Sequence, residues 1–517
     1  MSEERGSASS RTYGGWQLEK VAFLFGLSGK RAVMLAAAVL AAIMPIAMVR
    51  ISEAALLWPL AVLLTAAALV RIGGRTADEW LTAAVSYRLL AFRSQHKFAS
   101  GPFAPPSGQD SEEPRQDLPG ILAPVKILAV PSGSGGRELA VAHHRYDRTY
   151  TAVAKVCFPG IGLADSARRD QRVAGWGALI AGLCTEGNPV IRVQALQRIV
   201  PESGAALRRW HADHLAADAP GAARGITGTL LATTTLATAR RESYLAFTMS
   251  EQRAHAAIRA AGGGQSGAVT VLLRHLRALS SSVSGADLTI EDWLGPRDLA
   301  EVIRTAYDPD AQAQLDIRRA AAHAQAERGE QLDGLPPGVP PALAGPAYAE
   351  AKPGVYLHDG TASVTYWVHD WPRSQAFCTA LAPLLGEGSH RRSFCMILEP
   401  LGPRQAEREV MRERTARHVA IRMRQRTGQI VPEHEQAAAV KARQQDAERA
   451  AGHGLVRFTA YLTVTVTDPA QVEDACAALE ADAAAARIEI RRMWFAQDAG
   501  FAAAALPLGL GLPRKRW

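Results

Sequence analysis

Cysteine is scarce in this chain and never paired. Cys157, Cys184, Cys378, Cys395 and Cys476 are scattered through 517 residues, odd in number and without a CxxC pair. That excludes a disulfide framework and a cysteine-based zinc site, and it suits a reducing compartment. The reactive motifs are missing as well. No HExxH, no GxSxG elbow and no His-hydrophobe-His motif occurs anywhere. The best approach to a phosphate-binding loop, Gly26 to Arg31, lacks the first glycine and carries Arg31 where the magnesium-binding hydroxyl belongs. His211 and His214 lie three apart on one helical face with no third ligand near, and His143 with His144 is equally isolated. Glycine-rich Gly262–Gly267 opens a helix but has no lysine, and reads as a turn. The sequence therefore names no catalytic, cofactor-binding or metal-binding residue, and no cofactor is expected.

Charge is absent from two adjacent stretches. Ala32 to Val49 and Ala54 to Val70 hold no charged side chain, and only Arg50 to Glu53 separates them. At about 1.5 Å per helical residue each run just matches a hydrocarbon core of about 30 Å. The pattern predicts a transmembrane helical hairpin over 32–70, bounded by Ala32, Val49, Ala54 and Val70. Pro45 and Pro59 sit inside the helices as kink points. A cleaved signal peptide fits poorly, because a second apolar run follows at once.

The flanks set the orientation. Arg5, Arg11, Lys20, Lys30 and Arg31 precede the hairpin, and Arg71, Arg75, Arg88, Arg93 and Lys97 follow it, against Arg50 alone in the connection. By the positive-inside rule both termini and the large C-terminal body face the cytosol, which places the protein in the cytoplasmic membrane. Residues 1–31 read as a cytosolic tail with an interfacial segment from Trp16 to Leu27. Residues 71–99 read as a basic amphipathic helix starting at Thr76, with Trp80, Ala84, Tyr87 and Leu90 as its apolar face. Its five basic residues are the expected contacts to anionic lipid, in keeping with a net charge of +8.

Beyond a linker at 100–120 the pattern turns α/β. Strands are expected at 148–158, 190–199, 243–249 and 287–290, with helices at 167–184, 205–217, 266–279 and 296–306 between them. A second Pro/Gly linker spans 334–354. The last part, 355–517, repeats the scheme, with strands at 355–358, 362–369, 392–398, 456–466 and 488–494. Helices at 374–385 and 469–485 belong to it. A densely charged helical pair from Arg404 to Arg426 and from Glu433 to Ala451 interrupts it. Two ferredoxin-like α/β units, 121–333 and 355–517, follow from the strand–helix–strand rhythm, each with helices on one sheet face. The 404–451 pair is the candidate partner-binding arm.

Several short stretches carry a resemblance. Gly73 to Leu90 behind a membrane hairpin resembles the small two-helix inner-membrane proteins of conjugative type IV secretion systems. Asp147 to Val153, Trp176 with Gly177, Val190 to Gln194, Arg240 to Leu245, Gln497 to Ala502 and Leu506 to Gly509 resemble the non-motor N-terminal half of the conjugation ATPase. The order and composition are most similar to a family of actinobacterial membrane proteins encoded within conjugative elements. The resemblance implies a non-enzymatic inner-membrane scaffold that docks a separate conjugation-type ATPase or sister subunits of the secretion apparatus, with homo-oligomers compatible. ATP hydrolysis does not carry over, because no Walker motif is present. A type VII secretion membrane component is the alternative transport reading. A nucleotide- or nucleic-acid-binding enzyme using the basic surface, without sequence-specific recognition, is the alternative of another class.

Overall fold

The computed structural model describes residues 29–47, 51–72, 75–101, 117–131, 137–158, 160, 164–201, 205–216, 218–237, 239–328, 336–372, 376–377, 379–386, 388, 390–426, 428 and 430–511. They form two compact units, Gln95–Gly402 with Gly454–Trp517 and, separately, Gly15–Ser94 with Pro403–His453. The expected tail 1–28, Val49 and Arg50 lie outside the described residues.

The smaller unit is helical. α1 (Gly29–Ala47) and α2 (Ile51–Leu69) cover the two apolar runs and pack side by side. Ile51, Ser52 and Glu53, expected in the connection, instead form the first turn of α2. A two-residue ladder, β1 (Arg71–Ile72) with β2 (Arg75–Thr76), leads into α3 (Ala77–Phe92). The basic helix therefore stops at Phe92, and Lys97, expected on it, belongs to a strand of the other unit. The charged pair also lies in this unit, as α12 (Pro403–Arg426) and α13 (Glu433–Ala450).

The larger unit is built on one 13-stranded sheet in which every pairing is antiparallel. Its chain falls into two halves of the same design. The first opens with the hairpin β4 (Val125–Pro131) and β5 (Glu138–His144). It continues through β6 (Thr149–Cys157), α4 (Ser166–Leu183), β7 (Val190–Pro201), a helical pair α5 (Ala205–His214) and α6 (Gly221–Ala237), and β8 (Ala239–Ser250). It closes with α7 (Glu251–Ala260), α8 (Gly264–Ser284), β9 (Thr289–Trp293), α9 (Pro296–Tyr307) and α10 (Ala311–Glu327). The second half has the hairpin β10 (Tyr348–Ala351) and β11 (Tyr356–His358), then β12 (Thr361–Asp370), α11 (Ala382–Leu385) and β13 (Arg391–Leu401). The α12–α13 pair follows in sequence, then β14 (Leu455–Val466), α14 (Val472–Ala485), β15 (Glu489–Arg492) and α15 (Gln497–Ala505). β3 (Lys97–Ala99) adds an edge strand beside β10.

Spatial order makes the repeat explicit. In the first half the strands lie β7-β8-β6-β9, and in the second β13-β14-β12-β15. The strand–helix–strand units are thus split: β6 and β7 run parallel, as expected of such a unit, but β8 sits between them. In both halves a helical pair interrupts the chain at the same slot, between the second and third strands. The halves join where β7 pairs with β13, from Arg392 opposite Ile199 to Leu398 opposite Val193. Two equivalent strands meeting antiparallel relate the halves by an approximate local two-fold.

Both sheet faces are covered, not one. Along β7, Val193 faces the core under α4, α7 and α8, while Leu196 faces the core under α9 and α15. α11 and α14 cover the second half on the α4 side. Strands such as β6 and β12, buried on both sides along most of their length, require this double cover. The Pro/Gly stretch 334–354 is not a free linker over its described part. Val339, Ala344, Ala349 and Ala351 are in the core, and Arg297 donates to the carbonyls of Pro336, Pro337 and Gly338. Of the expected 374–385 helix, Ala382–Leu385 is helical, with Pro383 in its first turn and Gly386 at its end, and the described residues 376, 377 and 379–381 are not.

Candidate functional site

The hairpin has an inside-out distribution of side chains. Its buried positions are Pro45 and five alanines, Ala38, Ala41, Ala54, Ala61 and Ala68, whereas large apolar side chains point outward: Leu40 is 69 % exposed, Ile46 68 %, Leu56 77 % and Leu63 65 %. Small residues let two helices approach closely, which is how helices associate where no water drives them together. Trp58 Nε1 donates to the carbonyl of Ala42 at 3.3 Å, tying α2 to α1. A groove of about 880 Å³ runs along α2, lined by Ala54, Ala55, Trp58, Pro59, Val62, Leu63 and Ala66. Among the described residues, no helix is long and apolar enough to cross a membrane; side chains are described for 33–47 and 54–69 of the two helices.

α3 differs from the amphipathic helix expected. Trp80, Ala84 and Tyr87 are half-buried, but Leu90 is exposed, and a second apolar line of Leu81, Val85, Leu89 and Phe92 faces outward beside exposed Arg88. Apolar residues thus occupy both sides of the helix. Of the expected lipid contacts, Arg88 and Arg93 are exposed, while Lys97 lies 3.6 Å from Glu350 within the sheet. The side chains of Ala32, Arg71 and Arg75 lie outside the described set. Ala54 is in the hairpin interface and Val70 is exposed just beyond α2.

The α12–α13 arm is held by ion pairs between its helices, Arg414 with Asp446 and Arg424 with Glu435 at 2.8 Å, around buried Ala442. Arg404, Arg426, Glu433 and Ala451, its expected bounds, are all exposed. A solvated charged pair should expose no apolar line, yet Met411, Val419 and Met423 share one side of α12 and are each roughly half exposed. Ile430, between the helices in sequence, is 91 % exposed.

A buried polar network, unannounced by any motif, lies on the sheet face under α9. Glu242 Oε2 accepts from Arg198 Nη2 at 2.5 Å, Arg198 Nε at 3.2 Å and Tyr244 Oη at 3.1 Å, and its Oε1 accepts from Arg240 at 2.7 Å. Arg198 also donates to the carbonyl of Val302 at 2.8 Å, fastening α9 to β7. Burial alone would raise the Glu242 pKa, but Arg198 and Arg240 overcome it and hold the carboxyl well below the usual range. Nearby, His358 Nε2 lies 2.8 Å from Ser363 Oγ and its Nδ1 contacts the carbonyl of Tyr307. Burial pushes His358 down to about 4, so it is neutral at pH 7. The Ser–His contact looks like a nucleophile and base, but both residues are sealed in the core with Tyr307, Tyr356 and Phe501 packed around the imidazole. The signal that could have found the network is alternation: Arg198 and Glu242 share the alternate positions of their strands with buried Leu196, Tyr244 and Ala246.

The remaining groups are quickly placed. His214 stacks on Trp210 at 4.5 Å, and His143 stacks on Tyr150 at 4.4 Å. The described cysteines Cys157, Cys184, Cys395 and Cys476 are free thiols. His369, Asp370 and Glu489 bring three donor atoms within 4.8 Å of one another at a bulge of β12, where Arg491 already holds Glu489 at 2.7 Å. Three consecutive glycines, Gly262, Gly263 and Gly264, take positive φ and turn the chain between α7 and α8, as a turn reading requires.

Several of the stretches that carried the family resemblance meet on one sheet face, whereas Trp176 packs on the opposite face and Gly73 to Leu90 belongs to the other unit. Gln194 Nε2 donates to the carbonyl of Leu506 at 2.8 Å, and Gly509 N donates to Gln194 Oε1 at 2.7 Å. Arg192 donates to the carbonyl of Gly509 at 2.6 Å. Gly509 must be glycine: φ is +63° and an added Cβ would fall 2.0 Å from Thr248 Oγ1. The class defined by this geometry is a two-unit protein with a repeated antiparallel α/β body and an apolar helical hairpin. No family model matches the chain, and no curated protein matches it.

Proposed function

We propose that this chain is a non-enzymatic membrane scaffold of a type IV-like conjugation or secretion apparatus. One observation carries the membrane part: a hairpin with alanines inside and large apolar side chains outside. In water that surface would be covered or would aggregate. In lipid it is the stable arrangement, because the chain hides its polar backbone in helices and packs through small residues. In length α1 and α2, 19 residues and about 28 Å each, approach the hydrocarbon thickness, while their described residues alone are not long and apolar enough to cross it. The positive flanks then place both termini and the body in the cytosol, and α3, apolar on both sides with Arg88 and Arg93 exposed, rests in the headgroup region.

The scaffold part rests on the body and the arm. The two halves have the strand order of ferredoxin-like units, and two of the stretches resembling the conjugation ATPase, Val190 to Gln194 and Leu506 to Gly509, contact each other on the sheet. The exposed Met411, Val419 and Met423 line suits an apolar helix or groove on a separate ATPase or sister subunit. The experiment is a deletion of Pro403–His453 with Gly402 joined to Gly454. Leu401 and Leu455 are cross-strand partners, so a tight turn closes the gap without disturbing the sheet. The variant is expected to remain in the membrane fraction and to lose co-purification of the ATPase. Retained co-purification removes the arm from the mechanism, and wild-type protein released from membranes by alkaline carbonate removes the anchor.

A further inference from the structure

β13 opens on a cation with one donor that no acceptor among the described residues answers. Arg391 is 8 % exposed, and its Nη2 is buried with no hydrogen-bond acceptor. The charges around it are Arg198, Arg240 and Glu242, with the Tyr244 hydroxyl, and His358 also feels it. Each carboxylate of the neighbouring network is already engaged. Glu242 serves Arg198, Arg240 and Tyr244, and Asp316 serves Arg240 and Gln312. Asp298 and Glu301 both serve Arg319. A buried guanidinium with its Nη2 left without an acceptor, beside two further arginines, is unfavourable. Burial, reinforced by Arg198, lowers its pKa to about 9, which still leaves it charged at pH 7.

Two hydroxyls stand on the same side. Thr465 is the direct cross-strand partner of Arg391, and such partners share a sheet face. Its Oγ1 lies 2.8 Å from Ser363 Oγ, which reaches His358 Nε2 at 2.8 Å. Arg240, whose side chain is 36 % exposed, connects the cluster to solvent. A guanidinium fork flanked by hydroxyls is the donor set that proteins use for phosphate oxygens.

We propose that Arg391, with Thr465 beside it, anchors a binding site for one phosphate-class oxyanion, either inorganic phosphate or the terminal group of a phosphomonoester, where the two halves of the sheet meet. The anion supplies the missing acceptor and ties β13 to the Arg198 network, so its occupancy stiffens the β7–β13 junction. This site is independent of the membrane and docking roles of the other unit.

The test is thermal unfolding of the full chain in detergent. It is titrated with inorganic phosphate, with glycerol 3-phosphate and with acetate, against chloride at constant ionic strength. Phosphate is expected to raise the wild-type melting temperature in a saturable way. In Arg391→Met the midpoint of that titration moves at least about tenfold higher, the loss of one charge-assisted contact. Without phosphate, Arg391→Met melts at or above wild type, because an unpaired buried charge has gone; this separates lost binding from lost folding. Arg391→Lys, with charge but no fork, falls between. A response to the ester as well as to the free ion assigns a phosphomonoester. No saturable rise in wild type, an unchanged titration in Arg391→Met, or an equal response to acetate would each overturn the proposal.

Discussion

Glu242→Gln is the substitution that tests the buried network most sharply. The side chain keeps its volume and loses its charge. Four hydrogen bonds end on this carboxylate, three of them from arginines. Without it, Arg198 loses its carboxylate partner, Arg391 loses the charge that offsets it, and Arg240 keeps only Asp316 at 3.4 Å. Removing one partner of a buried ion pair costs about 3–5 kcal/mol, mostly because the remaining charge is stranded. At about 2 °C per kcal/mol for a body of this size, thermal unfolding followed by tryptophan fluorescence should drop by about 6–10 °C. The pH dependence fixes the cause. The folded pKa of Glu242 is depressed below its ordinary 4.5, so its stabilisation is complete above that value and is lost as pH falls through the folded pKa. The gap between wild type and Glu242→Gln should therefore be constant from pH 7 to about pH 5 and shrink only in stronger acid. The pair Arg198→Met with Glu242→Leu should recover much of the loss, since an apolar pair of similar volume is often no worse than a buried ion pair. A Glu242→Gln variant within 1 kcal/mol of wild type, or a gap that persists unchanged in strong acid, would refute the reasoning.

Other perturbations separate the remaining claims. Leu63→Lys puts a charge on the outer surface of α2 and should cost about 3 kcal/mol of membrane insertion, read as protein shifting to the soluble fraction on flotation; an unchanged distribution contradicts a lipid-facing Leu63. Ala61→Leu, on the buried side of the same helix, should leave membrane association intact but wedge α1 from α2, measured as reduced crosslinking between cysteines placed on the two helices. His358 is neutral in the fold with its pKa lowered to about 4 from 6.5, so stability should be full above pH 6.5 and decline towards pH 4 by at most about 3 kcal/mol. His358→Gln should flatten that part of the melting profile, and a profile unchanged by the substitution would show that another group titrates there.

Much of the architecture was legible because its signals are local. Apolar runs at 32–49 and 54–70 marked the hairpin, and β-branched alternation marked β6, β7, β12 and β14. Charge on all sides marked α12 and α13. The misses have physical causes. The 334–354 stretch looked like a linker from its prolines, but prolines leave their carbonyls free, and Arg297 takes three of the carbonyls beside them. Lys97 looked like a continuation of α3, but its strand identity comes from pairing with Glu350, which is about 250 residues away.

By itself, the sequence determined the long strands, the charged helical pair and the two apolar helical runs, because propensity and periodicity act over a few residues. It also suggested the repeat, since both halves show the same rhythm. Only the tertiary structure decided that the two halves share one sheet through β7 and β13, that both faces are covered, and that Arg198, Glu242 and Arg391 converge. Strand neighbours are chosen by long-range hydrogen bonding and by the burial of both faces at once, and neither leaves a mark at any single position. The same holds for the hairpin. Its composition announced an apolar element, but only packing showed that alanines face inward and the large side chains outward.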